Sequence, residues 1–310
     1  MALPNLFVVG APKCGTTSLH RYLGQHPDIA MSAVKEPKFF LADGVRPRHR
    51  GPGDERACRA YVVDRDAYEA LFTYPHGPHT YAGESTPYYL WDHLAAGRIH
   101  ALVPDSRLVA VLREPTMRAY SNWADLREQG REKLDFTSAL AAEAERHELD
   151  WEPFWQYRDL GLYGEQLTRL YTVFPRHQVK VLLAEDLADD PDVAVAGVFS
   201  FLGLDPLGSP LEVTRLNQTM YKPVDRRSRA LETLFEQGQR ARPLVPRPVR
   251  RLARRAVRRG LRSQATAGTH GVRVRREYGD LFAADRPVLE GLGIDVAVWD
   301  EPLSAGGPEA

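Results

Sequence analysis

Sulfur and lysine are both scarce in this chain of 310 residues, which has two cysteines, four methionines and six lysines against 35 arginines. Two thiols, Cys14 and Cys58, make no disulfide framework, and no cluster of His and Cys has the spacing of a structural metal site. Net charge is absent too, 41 basic residues balancing 41 acidic ones. No global field therefore draws the chain to nucleic acid, and any preference for an anionic partner must be local. No apolar run approaches the roughly 18 residues that span a bilayer, and Met1 to Gly10 lacks the basic region and apolar stretch of a secretion signal. The expected location is cytoplasmic. No internal repeat is present, and nothing in the sequence fixes an oligomeric state.

What is present is alternation. Leu6 to Val9 is a short apolar run ending at Gly10, followed by a Pro/Gly/Thr turn and then Thr17 to Gln25 at helical spacing, closed by His26-Pro27. Similar runs occur at Leu108 to Leu112 and Val179 to Leu183, with a weaker one near Tyr81 to Gly83. Amphipathic stretches lie between and after them, over 91–103, 116–129, 135–149, 164–174 and 193–202. Strands alternating with helices predict an α/β fold, one domain over 1–310 with a central parallel sheet flanked by helices. Residues 240–262 depart from the pattern. After Pro243, Pro246 and Pro248, apolar Val249, Leu252, Ala256 and Leu261 alternate with Arg250, Arg251, Arg254, Arg255, Arg258 and Arg259, a basic amphipathic helix in outline. It reads as a solvated helix packed by its apolar stripe, a dock for an anionic or membrane-surface acceptor, or a nucleic-acid contact.

The chemistry concentrates at Gly10-Ala11-Pro12-Lys13-Cys14-Gly15-Thr16-Thr17, between the first strand and first helix, where backbone N–H groups and the helix dipole can cradle a phosphate. Its two glycines keep the spacing of the P-loop pattern, but Thr16 follows the second glycine and the lysine has moved to position 13. A nucleotide triphosphatase needs that lysine on the β- and γ-phosphates and an acidic strand end for magnesium, whereas the strand at 108–112 ends in Arg113. Metal-dependent phosphoryl transfer loses support, and no metal is called for.

The segment PKCGTTSLHRYLGQHPDI resembles the 5′-phosphosulfate loop of sulfotransferases that use 3′-phosphoadenosine 5′-phosphosulfate (PAPS), above all the heparan sulfate N- and 3-O-sulfotransferase branch and its bacterial relatives. RLVAVLREPTMRAYSNW resembles the same family's 3′-phosphate segment, and 162–204 its later helix, strand and helix. The resemblance covers residues 5 to 205, with a weaker echo at 275–292. It implies a P-loop-like fold and transfer of a sulfuryl group from PAPS, leaving 3′,5′-diphosphoadenosine (PAP). On that basis Lys13, Cys14 (through its amide), Gly15, Thr16, Thr17 and Ser18 hold the 5′-phosphosulfate, with Lys13 stabilising charge on the departing group. Arg113 and Ser121 take the 3′-phosphate, with Arg118 a weaker candidate, and Tyr163 faces the cofactor in the place of a family tyrosine.

In Lys35-Glu36-Pro37-Lys38-Phe39-Phe40, Glu36 matches the family's catalytic base, Lys38 stands where the family has a polar residue supporting the acceptor, and the two Phe rings can wall a pocket. Gly83-Glu84-Ser85-Thr86-Pro87 resembles the second acidic motif, with Ser85 in place of the usual lysine. Glu84 is then open to three roles: orienting a lysine, positioning the acceptor, or acting as base instead of Glu36. Trp151, Phe154, Trp155 and Tyr157 read either as core or as a stacking wall for an acceptor. The acceptor class spans carbohydrate, glycolipid and natural product, through a hydroxyl or an amine. Two rival readings remain, a P-loop kinase or nucleotide triphosphatase and a non-catalytic PAP- or anion-binding module.

Overall fold

The computed structural model describes residues 3–72, 80–212 and 267–300. The chain divides into two compact units, Met1–Gln218 with Tyr278–Glu301, and Thr219–Glu277 with Pro302–Ala310. Every candidate site residue belongs to the first. Of the second, the described part is residues 267–277 of the helix Ala267–Tyr278, and the Arg-rich segment 240–262 lies outside the described residues. Among the described residues no helix is long and apolar enough to cross a membrane.

The first unit is built on five parallel strands, β1 (Leu6–Gly10), β2 (Ile29–Met31), β3 (Tyr81–Ser85), β4 (Arg107–Leu112) and β5 (Val179–Leu183), in the order β2-β3-β1-β4-β5. All five residues of β1 and five of the six in β4 are buried, the pattern of strands covered on both faces. The helices between them are α1 (Thr16–Leu23), α2 (Asp54–Arg59), α3 (Arg65–Glu69), α4 (Ala95–Leu102), α5 (Pro115–Glu128), α6 (Phe136–Ala141), α7 (Glu143–Glu148) and α8 (Tyr163–Val173). After β5 come α9 (Ala184–Asp189) and α10 (Pro191–Leu202).

Departures from the sequence reading have local causes. The stretch 91–103 starts its helix late because the Asp92 side chain accepts from the amides of Leu94 and Ala95 and turns the chain first. The stretch 135–149 is two helices broken at Ala142, while Glu143, at the start of the second, turns its carboxylate to the amides of Arg158 and Asp159. β2 is three residues long, too short to carry a period.

Chain order within the sheet fixes where a ligand can bind. From β1 the chain runs out to β2 at one edge, and from β4 it runs to β5 at the other, so adjacent strands β1 and β4 send their connections in opposite directions. Such a switch point opens a crevice at the carboxyl ends of the two strands. Gly10 lies at that end, and an added Cβ would meet the Cβ of Leu90 at 2.6 Å. Leu90 cannot retreat easily, since its amide donates to the Val9 carbonyl at 2.8 Å. Gly10→Ala is therefore expected to lower stability by about 1–3 kcal/mol through overpacking, read as a shift in the midpoint of urea unfolding.

Candidate active site

The loop after β1 and the strand end of β4 lie side by side. The Ala11 amide donates to the Val111 carbonyl at 2.7 Å, and the Arg113 guanidinium reaches the Lys13 carbonyl at 3.4 Å. Gly15 begins α1 at φ 91° and offers no side-chain cap; a side chain there would be strained, and the leading amides of the helix are left for a ligand. The Lys13 ammonium forms an ion pair at 2.9 Å with Asp125, on the same face of α5 as Ser121, one turn earlier. Lys13, Arg113 and Asp125 of α5 thus converge on one crevice, while Ser121, one turn before Asp125, is buried at 1% exposure.

Tyr163 is placed differently from the sequence expectation. It is wholly buried, its hydroxyl 3.6 Å from the Cys14 sulfur and hydrogen-bonded to the Arg113 backbone. It braces the two loops from inside the core and does not face a ligand. The Cys14 thiol points inward with it, pushed up to about 11 by burial, and stays protonated and inert at neutral pH; its amide donates to the Ala11 carbonyl at 3.3 Å and closes the turn instead of pointing to a ligand. Arg118 is also withdrawn: it is fully buried, bonded to the Tyr157 carbonyl and to Asn122. It ties α5 to the core and leaves Arg113 as the cation of that strand end.

Glu36 faces the crevice from the other side. Its carboxylate, about one-third exposed, accepts from the Lys35 ammonium at 2.6 Å, and its amide donates to the Ser85 carbonyl at 3.0 Å. The Ser85 carbonyl that holds it ends β3, the strand beside β1, so Glu36 and the Lys13 loop lie at the same carboxyl edge of the sheet. Lys38 is nearly buried, its ammonium 5.2 Å and 5.1 Å from the ring centres of Tyr61 and Tyr88, a cation held by aromatic faces. The Phe pair does not wall a pocket. Phe40 packs on Phe7 and Tyr89, and Phe39 stacks on Tyr68 with centroids 4.1 Å apart, so the two rings anchor the loop that carries Glu36.

Backbone conformation singles out the same residues. Among the described residues four non-glycine positions have positive φ, and three of them are Lys13 (69°), Glu36 (61°) and Lys38 (59°). Stability alone would favour glycine at each. A long charged side chain in so costly a conformation makes each a candidate functional position.

Glu84 is removed from the acceptor side. Its carboxylate is fully buried and accepts three hydroxyls, from Tyr68 at 2.6 Å, Thr86 at 2.7 Å and Tyr89 at 2.9 Å. Thr86 in turn accepts from the Lys38 amide and Tyr89 from the Phe40 amide, so Glu84 holds the 36–40 loop in place. Ser85, where the resemblance leads one to expect lysine, bonds His20 of α1 at 2.9 Å. Burial and the neighbouring Lys35 charge hold the His20 imidazole down at about 4, neutral at physiological pH. An open cavity of about 400 Å³ lies here, with Thr17, His20, Arg21, Ser32 and Lys35 among its walls. His20 and Arg21 are contributions the sequence reading missed, although with Thr17 they follow the i, i+3, i+4 spacing of one helix face. Asp125, one turn beyond Ser121, was legible by the same rule. Of the aromatic group, Trp155 and Tyr157 are core, the indole of Trp155 donating to Asp54.

The loop whose lysine precedes its second glycine and the arginine at the neighbouring strand end set two side-chain cations together at the carboxyl edge of an α/β sheet. Among the described residues no group of three His, Cys, Asp or Glu could hold a metal ion. Residues 4–207 match the family model described as Sulfotransferase family, and the chain belongs to that family. It is similar to carbohydrate sulfotransferase 15 of Mus musculus, 27% identical over 68% of this chain and 45% of that protein. To heparan sulfate glucosamine 3-O-sulfotransferase 6 of Homo sapiens it is 32% identical, over 65% of this chain and 52% of that protein. The chain thus spans about half the length of these curated relatives. A crystal structure of a sulfotransferase from Alicyclobacillus acidocaldarius matches with TM-score 0.73 and 32% identity, covering 97% of this chain and all of that one.

Burial pushes the Glu84 carboxyl up to about 7 against the three hydroxyls that pull it down, and the Glu36 charge pushes the same way as burial. The folded state then holds this proton more tightly than the unfolded chain, whose carboxyl titrates near 4.5. Stability from this group is intact below that value and is lost as pH rises through the window to 7. Glu84→Gln has no proton to lose. Its stability relative to wild type should rise by about 1–3 kcal/mol between pH 5 and pH 8, measured by denaturant unfolding at both pH values.

Proposed function

We propose that this protein transfers a sulfuryl group from PAPS to a hydroxyl, or an amine, of a carbohydrate or similar acceptor. The observation that carries the reading is the contact of Arg113 with the Lys13 carbonyl, which sets two anion-binding motifs side by side at one crevice. The residues present fit a nucleotide phosphorylated at both ends. An uncapped helix start with Gly15 at positive φ and the loop lysine suit the 5′ end, and Arg113 at the end of β4 suits the 3′-phosphate, with Ser121 buried on the helix behind it. Bound there, PAPS supplies the sulfuryl group and a phosphate leaving group. A kinase reading lacks an acidic end to β4, which is followed by Arg113, and Glu84 at the end of β3 is buried under three hydroxyls.

Each residue of the chain has a defined task. Lys13 places an ammonium where negative charge builds up on the leaving group. Glu36, fixed through its amide to Ser85 and through its carboxylate to Lys35, accepts the proton of the acceptor's nucleophile. Lys38, Tyr61 and Tyr88 close one side of the crevice, and Glu84 keeps the loop from shifting. The cavity lined by His20, Arg21 and Lys35 adjoins Glu36, and its Arg21 and Lys35 cations suit a hydroxyl-rich or anionic carbohydrate, the acceptor class named for the relatives above.

Lys13→Ala and Arg113→Ala should each weaken PAP binding about tenfold or more, the scale of a lost charge-assisted hydrogen bond. Isothermal titration calorimetry reads this directly, and unchanged affinity in both variants contradicts the site. Glu36→Gln should leave PAP affinity unaltered and reduce turnover of labelled PAPS with a glycan acceptor by about 10²- to 10⁴-fold. Magnesium-dependent ATP turnover by the wild-type protein would instead favour phosphoryl transfer.

A further inference from the structure

The cofactor crevice contains a carboxylate that the proposed chemistry does not use. Asp125 lies on α5 one turn beyond Ser121, and its two oxygens have separate partners: one accepts from the Lys13 ammonium at 2.9 Å, the other from the Gln129 side chain at 3.2 Å. Both members of the pair are partly open to solvent, Lys13 at 19% and Asp125 at 32% exposure. The loop lysine is thus already neutralised by an acidic side chain aimed by its neighbour. A carboxylate in that position opposes the binding of a polyanion by competing with it for the same cation.

We propose that Asp125 is a resident counter-ion for Lys13, a positioning residue that holds the ammonium in the free site and yields it when the doubly phosphorylated nucleotide enters. The proposal rests on the PAPS reading above. Three features of the pair support exchange over a fixed structural tie. Its partial exposure keeps the coulombic gain small, because solvent screens exposed pairs, so an incoming phosphate with more charge outcompetes one carboxylate. Lys13 projects from a positive-φ turn on a flexible four-carbon stem, so its ammonium can swing without rebuilding the loop. The Gln129 amide keeps the Asp125 carboxylate in place, ready to recapture the lysine once the nucleotide leaves. Asp125 therefore weakens nucleotide binding by design and hastens product release.

The test is PAP titration of the full chain by calorimetry, with steady-state kinetics alongside. Asp125→Asn is isosteric, keeps an acceptor for Gln129 and removes the charge; it should bind PAP about three- to tenfold more tightly and show product inhibition by PAP strengthened by the same factor. Its kcat should fall while its KM for PAPS also falls, a split that a merely structural role does not produce. Asp125→Glu, which restores the charge, should return all three quantities toward wild type. In a Lys13→Ala background the Asp125→Asn effect should shrink below about twofold, because no ammonium remains to be exchanged. Unchanged or weaker PAP binding by Asp125→Asn overturns the proposal, as does an effect that persists at full size without Lys13, which would mark simple repulsion. A wild-type protein that does not bind PAP at all overturns the cofactor reading itself, and is distinguished from those outcomes by the wild-type titration alone.

Discussion

The arrangement depends on β1 and β4 ending together. A parallel sheet places the carboxyl ends of its strands along one edge, and pairing of these two brings the lysine-bearing loop against the strand end that carries Arg113. Each contributes a different group, the loop an ammonium and an uncapped helix start, the strand end a guanidinium. Tyr163 fixes their separation from beneath, its hydroxyl shared between Cys14 and the Arg113 backbone. A buried phenol bonded to both sides resists any spreading of the two loops, because opening them would strand its hydroxyl in the core.

Reading from sequence to structure succeeded where periodicity and local punctuation carry the information. The apolar runs at 6–9, 108–112 and 179–183 became β1, β4 and β5, and the glycine-spaced loop lies between β1 and α1 as its composition implied. What the sequence concealed was direction. Tyr163 and Arg118 belong to the right segments, yet their side chains turn into the core, and nothing in the order of residues distinguishes inward from outward at an element's end. Glu84 illustrates the same limit: the motif around it was recognisable, but its three hydroxyl donors come from positions 68, 86 and 89, and Tyr68 lies on a helix remote in sequence. Asp125 and His20 were hidden for a different reason. Each follows helical spacing from a residue already singled out, but their partners, Lys13 and Ser85, are 112 and 65 positions away.

The acceptor side is assembled from weak individual elements made rigid by their connections. Lys35, Glu36 and Lys38 sit on a loop with two positive-φ residues, a segment that would wander without restraint. Two kinds of restraint apply. Phe39 and Phe40 sink into an aromatic cluster with Phe7, Tyr68 and Tyr89, and the amides of Glu36, Lys38 and Phe40 are tethered to Ser85, Thr86 and Tyr89. Burial of apolar rings supplies the stabilisation, and the hydrogen bonds supply the register.

The phenol of Tyr68 connects this loop to α3. It stacks on Phe39 with one face and donates to Glu84 with its hydroxyl, so α3 and the loop that carries Glu36 are mechanically one piece. Random mutagenesis scored by enzyme output would rank Tyr68 beside true contact residues, and sequence variation in α3 would tune turnover from a distance. Engineering efforts that treat that helix as inert scaffold would therefore alter the reaction centre unintentionally.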